Sequence, residues 1–175
     1  MAAAAKSHLF RVDMHPFAIG QLLFLLMLAN GTPLIVKKIL GAHYSYPIDC
    51  GLAFTDGRPL FGRSKTIRGV VLALVVTAAG APLIGLAWDI GLLVGIFAMA
   101  GDLFSSFCKR RLNLPSSSRA RGLDQIPEAL FPALACGHLL ALAPADIAVC
   151  VGVFFVGEVV LSRLLYAFRL RDRPY

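Results

Sequence analysis

Residues 90–111 read IGLLVGIFAMAGDLFSSFCKRR. The apolar or small run Ile90 to Gly101 covers only 12 residues, too short to cross a bilayer that needs about 20. A crossing helix must therefore continue through Asp102 to about Cys108, where Lys109, Arg110 and Arg111 mark the water boundary. At 1.5 Å per residue, Asp102 then lies roughly 10 Å inside that end. An ionised carboxylate at such depth is costly unless it pairs with a cation or faces water, which makes it a functional candidate. Asp102, Ser105, Ser106 and Lys109 fall at i, i+3, i+4 and i+7, so one helix face runs from acid through hydroxyls to base. The plainer alternative is a snorkelling basic anchor beside a neutralised acid.

The rest of the chain has the same character. Apolar stretches of spanning length occur at about 17–36, 70–88, 126–145 and 147–168, besides 90–108. Across 175 residues, 58% are hydrophobic and 15% charged, with a mean hydropathy of +0.75. One soluble core of this size cannot bury so much apolar surface. That excludes a soluble enzyme, a disordered tail and a basic nucleic-acid module. The expectation is a single all-α integral membrane domain over 1–175, with five transmembrane helices and a long cytoplasmic loop between the first two. Residues 1–13 read as a short tail outside the first span. Cys50, Cys108, Cys136 and Cys150 stand singly and read as small buried hydrophobes.

Charge orients the bundle. The connections 37–69 and 109–125 and the C-terminal end carry 15 of the 17 basic residues. The positive-inside rule therefore puts them in the cytoplasm, with the N-terminus outside. The net charge of +7 belongs to one membrane face and suits anionic headgroups or phosphate-bearing substrates rather than nucleic acid.

Further polar residues gather on that face. Asp124 precedes Gln125 and Pro127 at the start of the fourth apolar stretch, with Glu128 one turn on. With Asp102 it could hold Mg²⁺, or it could simply complement a helix dipole. The 37–69 connection contains Asp56-Gly57-Arg58 and the run Gly62-Arg63-Ser64-Lys65-Thr66-Ile67-Arg68-Gly69. The latter lacks the glycine frame of a Walker loop, yet it opens on a helix N-terminus that attracts phosphate. Asn30-Gly31-Thr32-Pro33 interrupts the first stretch and reads either as a kink that opens a groove or as a tolerated packing defect. Glu158 and His138 read as structural.

The string PID-x-G-x-x-F-x-DGR-x-x-FG-x-SKT-x-RG (Pro47–Gly69) resembles the cytoplasmic loop of the CDP-archaeol synthase family. So does GD-x-x-x-S-x-x-KRR-x-x-L (Gly101–Leu114), followed by Leu123-Asp124-Gln125, and Asn30 and Pro33 fit that family's first helix. The resemblance covers about residues 22–142 and extends distantly to CDP-diacylglycerol synthases. It implies a Mg²⁺-dependent membrane enzyme that transfers CMP from CTP to a lipid phosphate. Asp102 and Asp124 would be metal ligands, supported by Glu128, and Lys109 would complete the catalytic set. Lys65, Arg68, Arg110, Arg111, Asn30 and Ser106 would contact substrate, while Asp56 and Arg58 would shape the loop over the nucleotide. The expected partners are CTP, a lipid phosphate and the bilayer, and a homo-oligomer is compatible with the sequence. The competing readings are a non-catalytic membrane interaction protein and a small transporter. The nearly all-apolar outer halves of the spans disfavour transport.

Overall fold

A computed structural model describes residues 14–116, 118, 120 and 122–167, with side chains to residue 164. Five α-helices follow in order: α1 (Pro16–Leu40), α2 (Ile67–Gly80), α3 (Trp88–Arg111), α4 (Gln125–Cys136) and α5 (Pro144–Ala167). The described residues form no strand beyond two isolated antiparallel bridges, Pro47 with Thr66 and Ala53 with Pro59. Residues 1–13 and the basic residues Arg119, Arg121, Arg169, Arg171 and Arg173 lie outside the described set.

Local chemistry sets the helix ends. Pro16 and Pro144 occupy first helical positions, where a missing N–H costs nothing. Thr66 caps α2, its hydroxyl accepting from the Gly69 N–H at 3.3 Å. Lys37 and Lys38 fall in the last turn of α1, and Lys109, Arg110 and Arg111 in the last turn of α3, where cations offset the dipole. The helices run further than the apolar stretches, so the first connection is 41–66 rather than 37–69, and the second is 112–124 rather than 109–125. Asn30 does not break α1: its amide donates to the Leu26 carbonyl at 3.1 Å, and the helix continues through Pro33.

Among the described residues, four segments are long and apolar enough to span: Pro16–Leu40, Ile67–Ile84, Trp88–Arg111 and Pro144–Leu164. The expected helical span at 126–145 is corrected here. α4 has 12 residues, about 18 Å of helix, and gives way to turns in which Ala141 adopts φ +53°. The chain from Asp124 to Asp146 nevertheless runs from one end of the bundle to the other. The α4 N-terminus lies beside the C-terminal end of α3, where Asp124 meets Lys109 at 2.7 Å. The α5 N-terminus lies beside that of α1, where Asp146 accepts from the His15 backbone N–H at 3.1 Å. Gln125, Pro127, Glu128, Ala129, Pro132, Ala133 and Cys136 of α4 are buried. A broken helix at membrane depth is tolerated where protein covers it.

The core gathers Leu22, Leu25, Leu26 and Ala29 of α1, Ala73 of α2, Val94 and Ala98 of α3, and Ala129 and Ala133 of α4. Small residues set the spacing, as close packing of membrane helices requires. A Cβ placed on Gly101 would come within 2.3 Å of the Pro127 carbonyl oxygen, so only glycine lets α3 and α4 approach this closely at the site. Cys136 and Cys150 are buried as expected, whereas Cys50 is exposed on the loop; all four thiols are free.

Candidate functional site

Gly101 draws α4 onto α3 beside Asp102, and the consequence is a cluster of carboxylates. Glu128, 7% exposed, makes a side-chain hydrogen bond with Asp102 and has Glu158 and Lys65 as its other charged neighbours. Lys65 forms an ion pair with Asp102. Gln125 links this group to α5, its amide donating to Glu158 at 3.4 Å while its carbonyl accepts from the Gly122 N–H at 2.9 Å.

Lys65 reaches this depth because the 41–66 loop is tied by Asp49. That carboxylate, 4% exposed, accepts from the backbone N–H groups of Gly51 at 3.1 Å, Phe61 at 3.0 Å and Gly62 at 2.9 Å. Burial pushes the Asp49 carboxyl up, but the combined donors outweigh it and hold the group below its ordinary value. The Ile48 N–H donates to the Lys65 carbonyl at 2.8 Å, which fixes the segment carrying Lys65 against the start of the loop. No role for Asp49 was legible in the sequence, although it is the acid of the Pro47-Ile48-Asp49 motif.

The other candidates divide by what they touch. Lys109 pairs with Asp124 at 2.7 Å and donates to the Ser118 carbonyl at 3.1 Å. The second oxygen of Asp124 accepts from the Ala120 N–H at 3.2 Å, so this acid faces back into the 112–124 connection. Arg110 donates to the Pro115 carbonyl at 2.8 Å and to the Ser116 hydroxyl at 3.3 Å. Its Nε and the Ser106 hydroxyl are buried without a protein partner. Arg111 pairs with Asp56 at 3.2 Å and lies 4.8 Å from the ring centres of both Phe54 and Phe107. Arg58 covers the end of α3, donating to the Arg111 carbonyl at 2.8 Å. Arg68 does the same for α1, reaching the Gly41 carbonyl at 2.6 Å and the His43 carbonyl. Thus Asp102, Lys65 and Glu128 meet directly and Asp124 meets Lys109, while Arg58, Arg111 and Asp56 latch the loop to α3. Asn30 bonds its own helix, and His138 is exposed after α4.

A cleft of about 100 Å³ that opens to solvent adjoins Asp102. Pro33, Val70 and Met99 supply its apolar lining, and Lys37, Arg63, Lys65 and Arg68 bring four cations to one acid. Lys37 and Arg63 were not singled out individually from the sequence; only the cleft marks them.

Helical passages around buried carboxyl groups, with a cation-lined cleft at one end, define a multi-pass membrane protein with a cationic site. The pattern of the CarS-like CDP-archaeol synthase family matches residues 18–175, and the chain belongs to that family. A CDP-archaeol synthase of Saccharolobus islandicus (strain Y.N.15.51 / Yellowstone #2) is 38% identical over 104 residues, covering 57% of this chain. One of Pyrococcus furiosus is 43% identical over 107 residues, 55% of this chain. The aligned stretch spans 59% and 60% of those relatives, respectively. A solved structure described as an intramembrane enzyme for archaeal membrane lipid biosynthesis superposes with a TM-score of 0.70 at 27% identity, covering 81% of this chain and 90% of that one.

Proposed function

We propose that the protein transfers CMP from CTP to a lipid phosphate, forming a CDP-lipid and releasing pyrophosphate. The observation that carries this reading is the meeting of Lys65, Asp102 and Glu128 beside a cation-lined cleft in a chain of this family. An oxygen of the lipid phosphate attacks the α-phosphorus of CTP, and the bond to the β-phosphate breaks. Both reactants are anions, so their repulsion must be cancelled and the charge on the leaving pyrophosphate stabilised. A phosphate oxygen is already ionised at neutral pH, so no strong general base is needed. The relatives' names point to an ether-linked isoprenoid acceptor, with phosphatidic acid as the diacyl alternative.

The donor set suits Mg²⁺. Asp102 and Glu128 offer hard oxygens in contact, and no group of three or more His, Cys, Asp or Glu able to hold a metal occurs among the described residues. Mg²⁺ takes one or two carboxylates and fills its shell with water and substrate phosphates, so a closed protein cage is not required. Asp102 and Asp124 are assigned as its ligands, with Glu128 supporting Asp102. The ion would supply charge neutralisation at the transferring phosphoryl group. Lys65 and Lys109 hold these acids in place until the phosphates arrive. We place the site at the cytoplasmic face, where CTP comes from water and the lipid from the side.

Purified protein in detergent, with labelled CTP, Mg²⁺ and a panel of lipid phosphates, tests the reading. A labelled CDP-lipid released with pyrophosphate is expected. Absence of product with every acceptor would instead favour a non-catalytic or transport role.

A further inference from the structure

The cations around the site are mostly committed. Lys65 is held by Asp102, Lys109 by Asp124, Arg111 by Asp56, and Arg58, Arg68 and Arg110 by backbone carbonyls. Among the described residues lining the cleft, Lys37 and Arg63 are cations with no hydrogen bond or ion pair to the protein. They come from different elements, Lys37 from the last turn of α1 and Arg63 from the turn that leads into Lys65.

We propose that Lys37 and Arg63 bind the terminal phosphate of the lipid acceptor; this rests on the cytidylyl-transfer reading above. Three observations argue for a lipid rather than the triphosphate. Lys37 is exposed on α1 just after Leu34 and Ile35, apolar side chains that are also exposed, as a surface meeting lipid would be. Pro33, Val70 and Met99 line the same cleft, and apolar walls suit a glycerol backbone and the start of its chains better than a nucleotide's phosphates. A phosphate monoester is a dianion near neutral pH, and two unpaired cations match its charge. Four cations against the single acid Asp102 repel one another until such an anion arrives. Arg63 lies two residues before Lys65, so the bound phosphate would abut the acid cluster at which transfer occurs.

The test uses Lys37→Gln, Arg63→Gln and the double variant, with Lys38→Gln as control. Lys38 removes the same charge from the same exposed turn but does not line the cleft. Initial rates are measured against lipid phosphate at saturating CTP and Mg²⁺, then against CTP at saturating lipid. The KM for lipid phosphate should rise roughly tenfold for each cation removed. The KM for CTP and the Lys38→Gln enzyme should stay as in wild type. A rise in the CTP KM instead would assign the two cations to the triphosphate and overturn the proposal, as would a lipid KM no different from that of Lys38→Gln. A binding arm separates this from failure of the reaction itself. Thermal stabilisation of wild type and double variant is compared with phosphatidic acid, an isoprenoid ether lipid phosphate, inorganic phosphate and diacylglycerol in the same micelles. Stabilisation by the two lipid phosphates that disappears in the double variant supports the subsite even if no CDP-lipid forms. Equal stabilisation of both proteins, or stabilisation by inorganic phosphate alone, sinks it.

Discussion

Glu128 is an acid one turn inside the membrane domain, and its surroundings explain why it persists there. It hydrogen-bonds Asp102 and has Lys65 near, so its carboxyl has a polar partner and a compensating cation rather than hydrocarbon around it. Glu128→Gln keeps the shape and removes the charge. The Mg²⁺ midpoint should rise roughly 10- to 100-fold while the rate at saturating Mg²⁺ is largely kept; an unchanged midpoint in a Mg²⁺ titration would remove Glu128 from the metal's surroundings. Asp102→Asn and Asp124→Asn should each lower turnover by orders of magnitude, with the double variant little worse than either, because groups serving one centre are not additive. Wild-type turnover in either single variant would contradict the assignment. Asp49 offers a pH signature. Its carboxyl is held below the ordinary value, so the folded loop prefers the ionised form. That stabilisation is complete above the unfolded carboxylate value of about 3.9 and is lost as pH falls through the lower folded value. Hydrogen-exchange protection of the Phe61 and Gly62 amides should therefore hold from neutrality to about pH 4 and collapse below it. Asp49→Ala should abolish the protection at neutral pH, at a cost of about 1–3 kcal/mol for the orphaned donors.

Among the elements, the α3–α4 contact matters most for the site. Gly101 precedes Asp102, and its missing side chain lets the Pro127 carbonyl approach, so the same dipeptide sets both the spacing and the charge. Gly101→Ala must push α4 away, because the added carbon would sit 2.3 Å from that carbonyl oxygen. Gly152 in α5 has nothing within 4 Å of such a carbon. Gly101→Ala should lower thermal stability in detergent by about 1–3 kcal/mol and abolish most activity. Gly152→Ala should be neutral or stabilising by up to about 1 kcal/mol. Equal melting temperatures for the two variants would mean that the helices part without cost. The brevity of α4 belongs to the same contact. The helix carries buried polar groups at its first turn and packs one face on its neighbours while Ile126 and Leu134 stay exposed, so it is not a fully lipid-facing span bound by the length rule.

Across the whole molecule, the two ends of the bundle differ in chemistry. One is closed by neutral or locally paired contacts, with the Gln21 amide on the Ile84 carbonyl at 2.9 Å and His15 on Asp146 at 2.8 Å. The other gathers the loop, the cleft and the cations. By the positive-inside rule we propose that the second end faces the cytoplasm. In a chain cleared of its native cysteines, Leu83→Cys should react with an impermeant thiol reagent in intact cells, and Ser45→Cys only after lysis. Leu83 is 80% exposed at the first end and Ser45 is exposed at the second, so access does not limit either. The reverse pattern would invert the orientation.

The apolar stretches, the depth of Asp102 and the basic connections were legible in the chain because they depend on spacing along one helix and on composition, both one-dimensional quantities. α1, α3 and α5 follow from them to within four residues at each end. The motif residues Lys65, Asp102, Lys109 and Asp124 were also visible, since an acid or base in an apolar context stands out without knowledge of its neighbours. Which acid faces which base was not. Glu128 meets Asp102 only because Gly101 admits α4, and Lys65 reaches Asp102 only because Asp49 ties a loop across 13 residues of chain to the Gly62 amide. Nor does sequence reveal which cations already have partners: Arg68 looks like a phosphate ligand and Arg58 like part of a nucleotide-covering loop in the string, but folding brings them to the open carbonyls at the ends of α1 and α3. Lys37 and Arg63 are conspicuous only by having no such partner. Pairing is a property of through-space distance in a low-dielectric interior, where an uncompensated charge is expensive. Only the packed helices and the folded loop decide which charges are compensated within the protein and which remain for a ligand.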